Sequence, residues 1–149
     1  MNICSFKHLD LAELLPHGSD MCLIDKVTYC DKDRIQCESE SHLRGNNPLQ
    51  INARVHSCIL AEYAAQTAAL HAAHINSHLG KKQAAFVGAI KKFSWENTYL
   101  PEKNIQFQTQ LELNSNNGAI YSFKVTSRKK TIASGSLVLI TPSKTKVAS

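Results

Sequence analysis

Glu62 lies among Leu60, Ala61, Tyr63 and Ala64, where a carboxylate has few water neighbours. Loss of water disfavours a carboxylate's charge, which suits such a group to general acid or base work near neutrality. Gln66 follows one helical turn later, so the two share a face. A structural reading stays open beside the chemical one: Glu62 hydrogen-bonded to Gln66 or to backbone. His17, in the loop Pro16-His17-Gly18, can reach into a site or remain in solvent. His56 precedes Glu62 by six residues, which puts it on another side of the helix. Direct pairing of the two within one chain is therefore not expected. The backbone N–H groups near His56 and Ser57 open the long helix at the positive end of its dipole, and are expected to polarise a carbonyl.

Other candidates carry less. His71, His74 and His78 share a helical stripe, but no carboxylate or cysteine completes a ligand set, so a solvated helix end is expected and no metal. Gly45, Gly80 and Gly88 form no phosphate cradle. The five cysteines, Cys4, Cys22, Cys30, Cys37 and Cys58, contain no CxxC pair and are odd in number. That excludes a disulfide framework or a zinc knuckle and fits a reducing cytoplasm. A net charge of +5 favours acidic partners, yet the cations are scattered apart from Lys81-Lys82, Lys91-Lys92 and Arg128-Lys129-Lys130. No basic and aromatic residues interleave along a strand, so nucleic acid is not expected. The apolar stretch 58–73 is broken by Glu62 and Gln66, and the first eight residues have no apolar run. Neither a membrane span nor a signal peptide is expected, and the chain reads as cytoplasmic.

These residues need a frame to hold them. Asp10 to Leu15 reads as a short helical turn and Pro16–Asp20 as a loop. Strands are expected at Met21–Cys30 and Arg34–Ser41, joined by Asp31-Lys32-Asp33. Residues 43–53 form an irregular link. The spacing predicts one helix over Val55–Leu79, apolar nearly all round in its first half and stopped at Gly80. Strands follow at Ala84–Trp95, Ile105–Leu113, Ala119–Ser127 and Thr131–Thr141, with a hairpin signal at Asn116-Asn117-Gly118. At 149 residues this is one α+β domain over 1–142 with a flexible tail at 143–149. An antiparallel sheet wrapped around one long central helix lets both share one core.

Four motifs in order resemble the FabZ/FabA-like 3-hydroxyacyl acyl-carrier-protein dehydratases. They are Leu15-Pro16-His17 leading to Met21-Cys22-Leu23-Ile24-Asp25-Lys26-Val27, then Glu62-Tyr63-Ala64-Ala65-Gln66, Phe86-Val87-Gly88 running on to Phe93, and Ile132-Ala133-Ser134-Gly135-Ser136-Leu137. The resemblance implies the hot-dog fold, paired as a homodimer or heterodimer with an acyl tunnel between subunits. It implies dehydration of 3-hydroxyacyl thioesters to trans-2-enoyl thioesters without metal or redox cofactor. It also implies acyl carrier protein or coenzyme A thioesters as partners, in fatty-acid or aryl-polyene-type synthesis. Glu62 falls on the family's acid, and His17 on the opening-motif histidine. Gln66, His56, Ser57 and Gly88 fall on substrate-binding positions. The family's usual base sits in a G-H-F-P stretch fourteen residues before the acid, where Pro48 stands here. That departure is similar to the aryl-polyene, ApeP-like branch. It leaves two alternatives beside a dehydratase with His17 or His56 as base: a non-catalytic hot-dog partner or acyl-binding subunit, and a thioesterase.

Overall fold

A computed structural model describes residues 22–77 and 86–141. Its elements are β1 (Lys26–Cys30), β2 (Arg34–Ser39), α1 (Leu60–Ser77), β3 (Phe86–Trp95), β4 (Ile105–Ser115), β5 (Gly118–Ser127) and β6 (Lys130–Ile140). All six strands form one antiparallel sheet in the order β1-β2-β4-β5-β6-β3. This is the hot-dog architecture expected, a sheet packed around one helix.

Alternation along the strands decides which face meets α1. Ile105, Phe107 and Thr109 of β4, Tyr121, Phe123 and Val125 of β5, and Leu137 and Leu139 of β6 are buried. Gln106, Gln110 and Lys124, on the opposite face, are exposed. From the helix come Leu60, Tyr63, Ala64, Ala68 and Leu70. The alanines let the backbone of α1 approach the sheet, and Tyr63 stacks on Phe107 with ring centroids 5.2 Å apart and planes within 8°. Such a stack adds about 0.5–1.5 kcal/mol beyond the area it buries. Gly135 makes room for the Phe123 ring: a Cβ there would lie 2.7 Å from the ring's Cζ.

Turn chemistry sets the hairpins. Asp31 Oδ1 accepts the N–H groups of Asp33 and Arg34, both at 2.8 Å, and Tyr29 Oη donates to Oδ2 at 2.6 Å. The Tyr29 bond, then the Asp33 bond, hold the Asp31 carboxyl down at about 2. Asn116 and Asn117 join β4 to β5, as the sequence predicts. Arg128 and Lys129 turn β5 into β6 with φ of 49° and 66°, the left-handed pair that suits a two-residue hairpin.

β3 forms one edge of the sheet, bonded on one side to β6 alone. Phe86, Val87, Ile90 and Trp95 are exposed along it. Its pairing slips between Val87 and Ala89 and again between Lys91 and Ser94, where Lys92 takes a φ of 53°.

Three boundaries differ from expectation. The α-helix begins at Leu60, not Val55, because a 3₁₀ turn over Ser57–Ile59 precedes it. β1 begins at Lys26, since residues 22–24 are held by side chains rather than by a ladder. A second 3₁₀ turn, Ser41–Leu43, opens the irregular link. The helical turn at 10–15, the loop at 16–20, the Gly80 stop and the tail at 143–149 lie outside the described residues. No described helix is long and apolar enough to cross a membrane.

Candidate functional site

The approach to α1 is tied off by backbone and by one side chain. His56, with extended backbone (φ −69°, ψ 141°), caps the turn: its Nδ1 accepts the Cys58 N–H at 3.0 Å. Ser57 N–H donates to the Thr98 carbonyl at 2.8 Å, and Ile59 N–H to the His56 carbonyl at 3.1 Å. Leu60 N–H reaches the Ser57 carbonyl. Of the donors expected to be open near His56 and Ser57, the Ser57 N–H is taken by loop 96–100 and the Cys58 and Ile59 N–H groups by His56. The rings of Trp95 and Tyr99 meet His56 edge-on at 6.0 and 6.1 Å, and the Arg54 guanidinium lies 5.0 Å over Tyr99.

Glu62 sits in the first turn of α1 and is half-buried, whereas Gln66 is buried. Gln66 Nε2 donates to Glu62 Oε1 at 3.2 Å. Gln66 Oε1 accepts the Leu23 N–H at 2.8 Å. A backbone N–H can only donate, so Leu23 dictates that the Gln66 oxygen faces it and the NH₂ faces the acid. The pair expected from spacing is thus present, with its orientation set from outside the helix. A half-open carboxyl with one oxygen held by an amide can give or take a proton at the other.

The described histidines have defined partners. His42, absent from the sequence-level candidates, is buried, and its Nε2 lies 2.7 Å from the Pro101 carbonyl, to which it must donate. Burial pushes its pKa down. No local pattern announces His42, since its partner is 59 residues away. His71 is buried too; Nε2 donates to the Asp31 carbonyl and Nδ1 faces Tyr121 Oη, each at 2.7 Å. Burial lowers the His71 pKa and raises that of Tyr121. The histidine stripe is therefore a core polar contact at its first member rather than a solvated end, and His78 lies outside the described residues. No group of metal-binding side chains occurs among the described residues. His17 also lies outside them. A Cβ on Gly88 would meet Ile140 Cδ1 at 2.4 Å, and Ile140 is exposed. Its described contact is one of packing.

Solved structures share this fold. The dehydratase heterocomplex ApeI:P from Xenorhabdus doucetiae matches with a TM-score of 0.82 and 15% identity, over 91% of this chain and 92% of that chain. A mutant thioesterase from Pseudomonas aeruginosa matches with a TM-score of 0.67 and 7% identity, over 92% and 94%. A hypothetical thioesterase with coenzyme A from Streptococcus pneumoniae gives 0.57 and 7%, over 78% and 84%. No curated protein matches the sequence. The ApeP-like family (ApeP dehydratase) matches residues 9–149, nearly the whole chain. The chain belongs to the ApeP-like dehydratase family.

Proposed function

We propose that this protein takes part in dehydrating 3-hydroxyacyl thioesters to trans-2-enoyl thioesters, in fatty-acid or aryl-polyene-type synthesis, with Glu62 as the acid. The observation that carries this reading is the Leu23–Gln66–Glu62 arrangement, which orients a half-buried carboxyl at the start of α1. Glu62 donates its proton to the departing hydroxyl while a base removes the proton from C2; water leaves and the double bond forms. His17 is the base candidate within the chain. Acyl carrier protein or coenzyme A carries the substrate, and the basic turn Arg128-Lys129-Lys130 suits an acidic carrier.

A second reading is a partner subunit whose base comes from another hot-dog chain. Two observations favour it: His42, His56 and His71 are committed to structural contacts, and among the described residues the β3 edge is unpaired and apolar. The solved heterocomplex fits the same idea.

One experiment separates these. The purified chain is mixed with a 3-hydroxyacyl carrier-protein thioester, with and without a second hot-dog chain, and loss of water is followed by mass. Conversion by the chain alone supports the first reading; conversion only in the mixture supports the second. In either case Glu62→Gln should lower turnover roughly 10²–10⁴-fold. Undiminished turnover would remove Glu62 from the mechanism. Release of free thiol in place of water would make the protein a thioesterase.

A further inference from the structure

Behind Gln66 runs a buried chain of hydrogen bonds. Ser39, at the end of β2, is fully buried, and its hydroxyl lies against the Leu23 carbonyl. A carbonyl only accepts, so the single Ser39 proton is committed there; the Asp25 carboxylate, at 3.3 Å, is the longer alternative. Ser39 Oγ accepts the Ser41 N–H at 3.0 Å, and Ser41 Oγ, at 2.9 Å, is a further alternative acceptor of its proton. Ser41 Oγ and Tyr63 Oη are hydrogen-bonded at 2.7 Å. Tyr63 Oη in turn accepts from Asn47 Nδ2 at 3.4 Å, and the same Nδ2 donates to the Ser41 carbonyl at 2.8 Å.

The order is thus Asn47 to Tyr63 to Ser41 to Ser39 to the Leu23 carbonyl. The Leu23 N–H then continues to Gln66 and so to Glu62. The two Leu23 groups belong to different peptide units, so what passes through Leu23 is position rather than polarisation. Ser39 pins the Leu23 backbone on one side, which presents its N–H to Gln66 on the other.

We infer that Ser39 is a positioning residue for Glu62, acting through Leu23 and Gln66, and that it turns the Gln66 amide toward Glu62 Oε1. This rests on the reading of Glu62 as the acid. A buried network of this kind can be worth more than the sum of its separate bonds.

The test is steady-state dehydration by the full chain, in whichever assembly shows turnover, for Ser39→Ala, Ser39→Thr, Gln66→Met and the double variant Ser39→Ala with Gln66→Met. Loss of alignment at a reacting group lowers kcat, here by about tenfold, and leaves KM unchanged. Ser39→Thr keeps the hydroxyl and should recover most of that loss. The double variant should be no slower than Gln66→Met alone, because both act through one amide. Losses that add in the double variant, an unchanged kcat in Ser39→Ala, or no recovery with Thr would overturn the inference. If Ser39→Ala does not fold, Tyr63→Phe breaks the chain two links earlier and should give a smaller kcat loss with KM unchanged; an unaltered kcat there overturns the inference equally. Glu62→Gln run in parallel keeps the two claims apart. Full activity in that variant sinks the acid assignment, while an inactive Glu62→Gln beside a fully active Ser39→Ala sinks only the positioning role.

Discussion

Tyr121 Oη and His71 Nδ1 meet at 2.7 Å in the core, between β5 and α1, with their rings crossed at 87°. Because His71 Nε2 donates to the Asp31 carbonyl, Nδ1 is the acceptor of the tyrosine proton, and the imidazole is neutral in the native state.

Acid should therefore weaken the fold in a defined window. Burial lowers the pKa of both His71 and His42 below the ordinary histidine value. As pH falls through about 6.5, the unfolded chain takes up these protons and the native chain does not. Stability is complete above that value and declines toward the lowered native pKa values. Urea unfolding between pH 8 and pH 5 should show the midpoint falling with pH, and His71→Gln should flatten the slope. A midpoint constant across that range would contradict the assignment.

The open β3 edge should govern assembly. Ile90 is paired with Leu137, which is fully buried, yet Ile90 itself is 43% exposed. It shares the sheet face of the buried Leu137, with little among the described residues to cover it. Ile90→Lys should leave the thermal midpoint of the isolated chain within a few degrees while abolishing association with a second hot-dog chain, read by sedimentation velocity. Undisturbed association would move the interface elsewhere.

Two glycines should respond differently to alanine. At Gly135 the new methyl would meet the Phe123 ring at 2.7 Å and the Phe93 backbone at 3.2 Å, neither of which can yield easily. Overpacking of this kind costs about 1–3 kcal/mol. At Gly88 the clash is with the far end of the Ile140 side chain, which can rotate into solvent. Thermal denaturation should show Gly135→Ala clearly destabilised and Gly88→Ala nearly native. Equal effects would mean that Ile140 is less free than its exposure indicates.

The basic hairpin offers a separate handle. Lys130 pairs with Glu96 at 3.3 Å in solvent, which leaves Arg128 and Lys129 at the tip. Replacing both with Glu should weaken binding to an acidic carrier protein and flatten its salt dependence. Replacing them with Asn and Gly instead should raise stability by about 1 kcal/mol, because other residues incur roughly 1–2 kcal/mol in the left-handed backbone. If the Glu variants bind as before, the carrier docks on another face.

Much of this frame was legible in advance because alternation and turn residues are local signals. Ile105, Phe107 and Thr109 against Gln106, Gln108 and Gln110 determine a face without reference to the rest of the chain. The pairing of Glu62 with Gln66 follows from helical spacing alone. What could not be read were contacts between segments distant in sequence. His42 meets Pro101, Leu23 meets Gln66, and Ser57 surrenders its N–H to Thr98. The last of these turns the open helix start expected from the sequence into a closed one. Tyr63 looked like one more apolar residue, because an aromatic ring in a helix says nothing of where its hydroxyl ends.

The irregular register of β3 also bears on which chains can mate with it. An uninterrupted edge would accept almost any extended segment in a crowded cell, including another copy of an aggregating chain. Here the slip between Lys91 and Ser94 cuts the regular edge short, and Lys91-Lys92 places two cations at the break. A mate must be brief, must bring apolar side chains to Val87 and Ile90, and does best with an anion opposite the lysines. For any chain that pairs at this edge, the slip would act as a filter on company, turning away strands that would otherwise zip along its whole length.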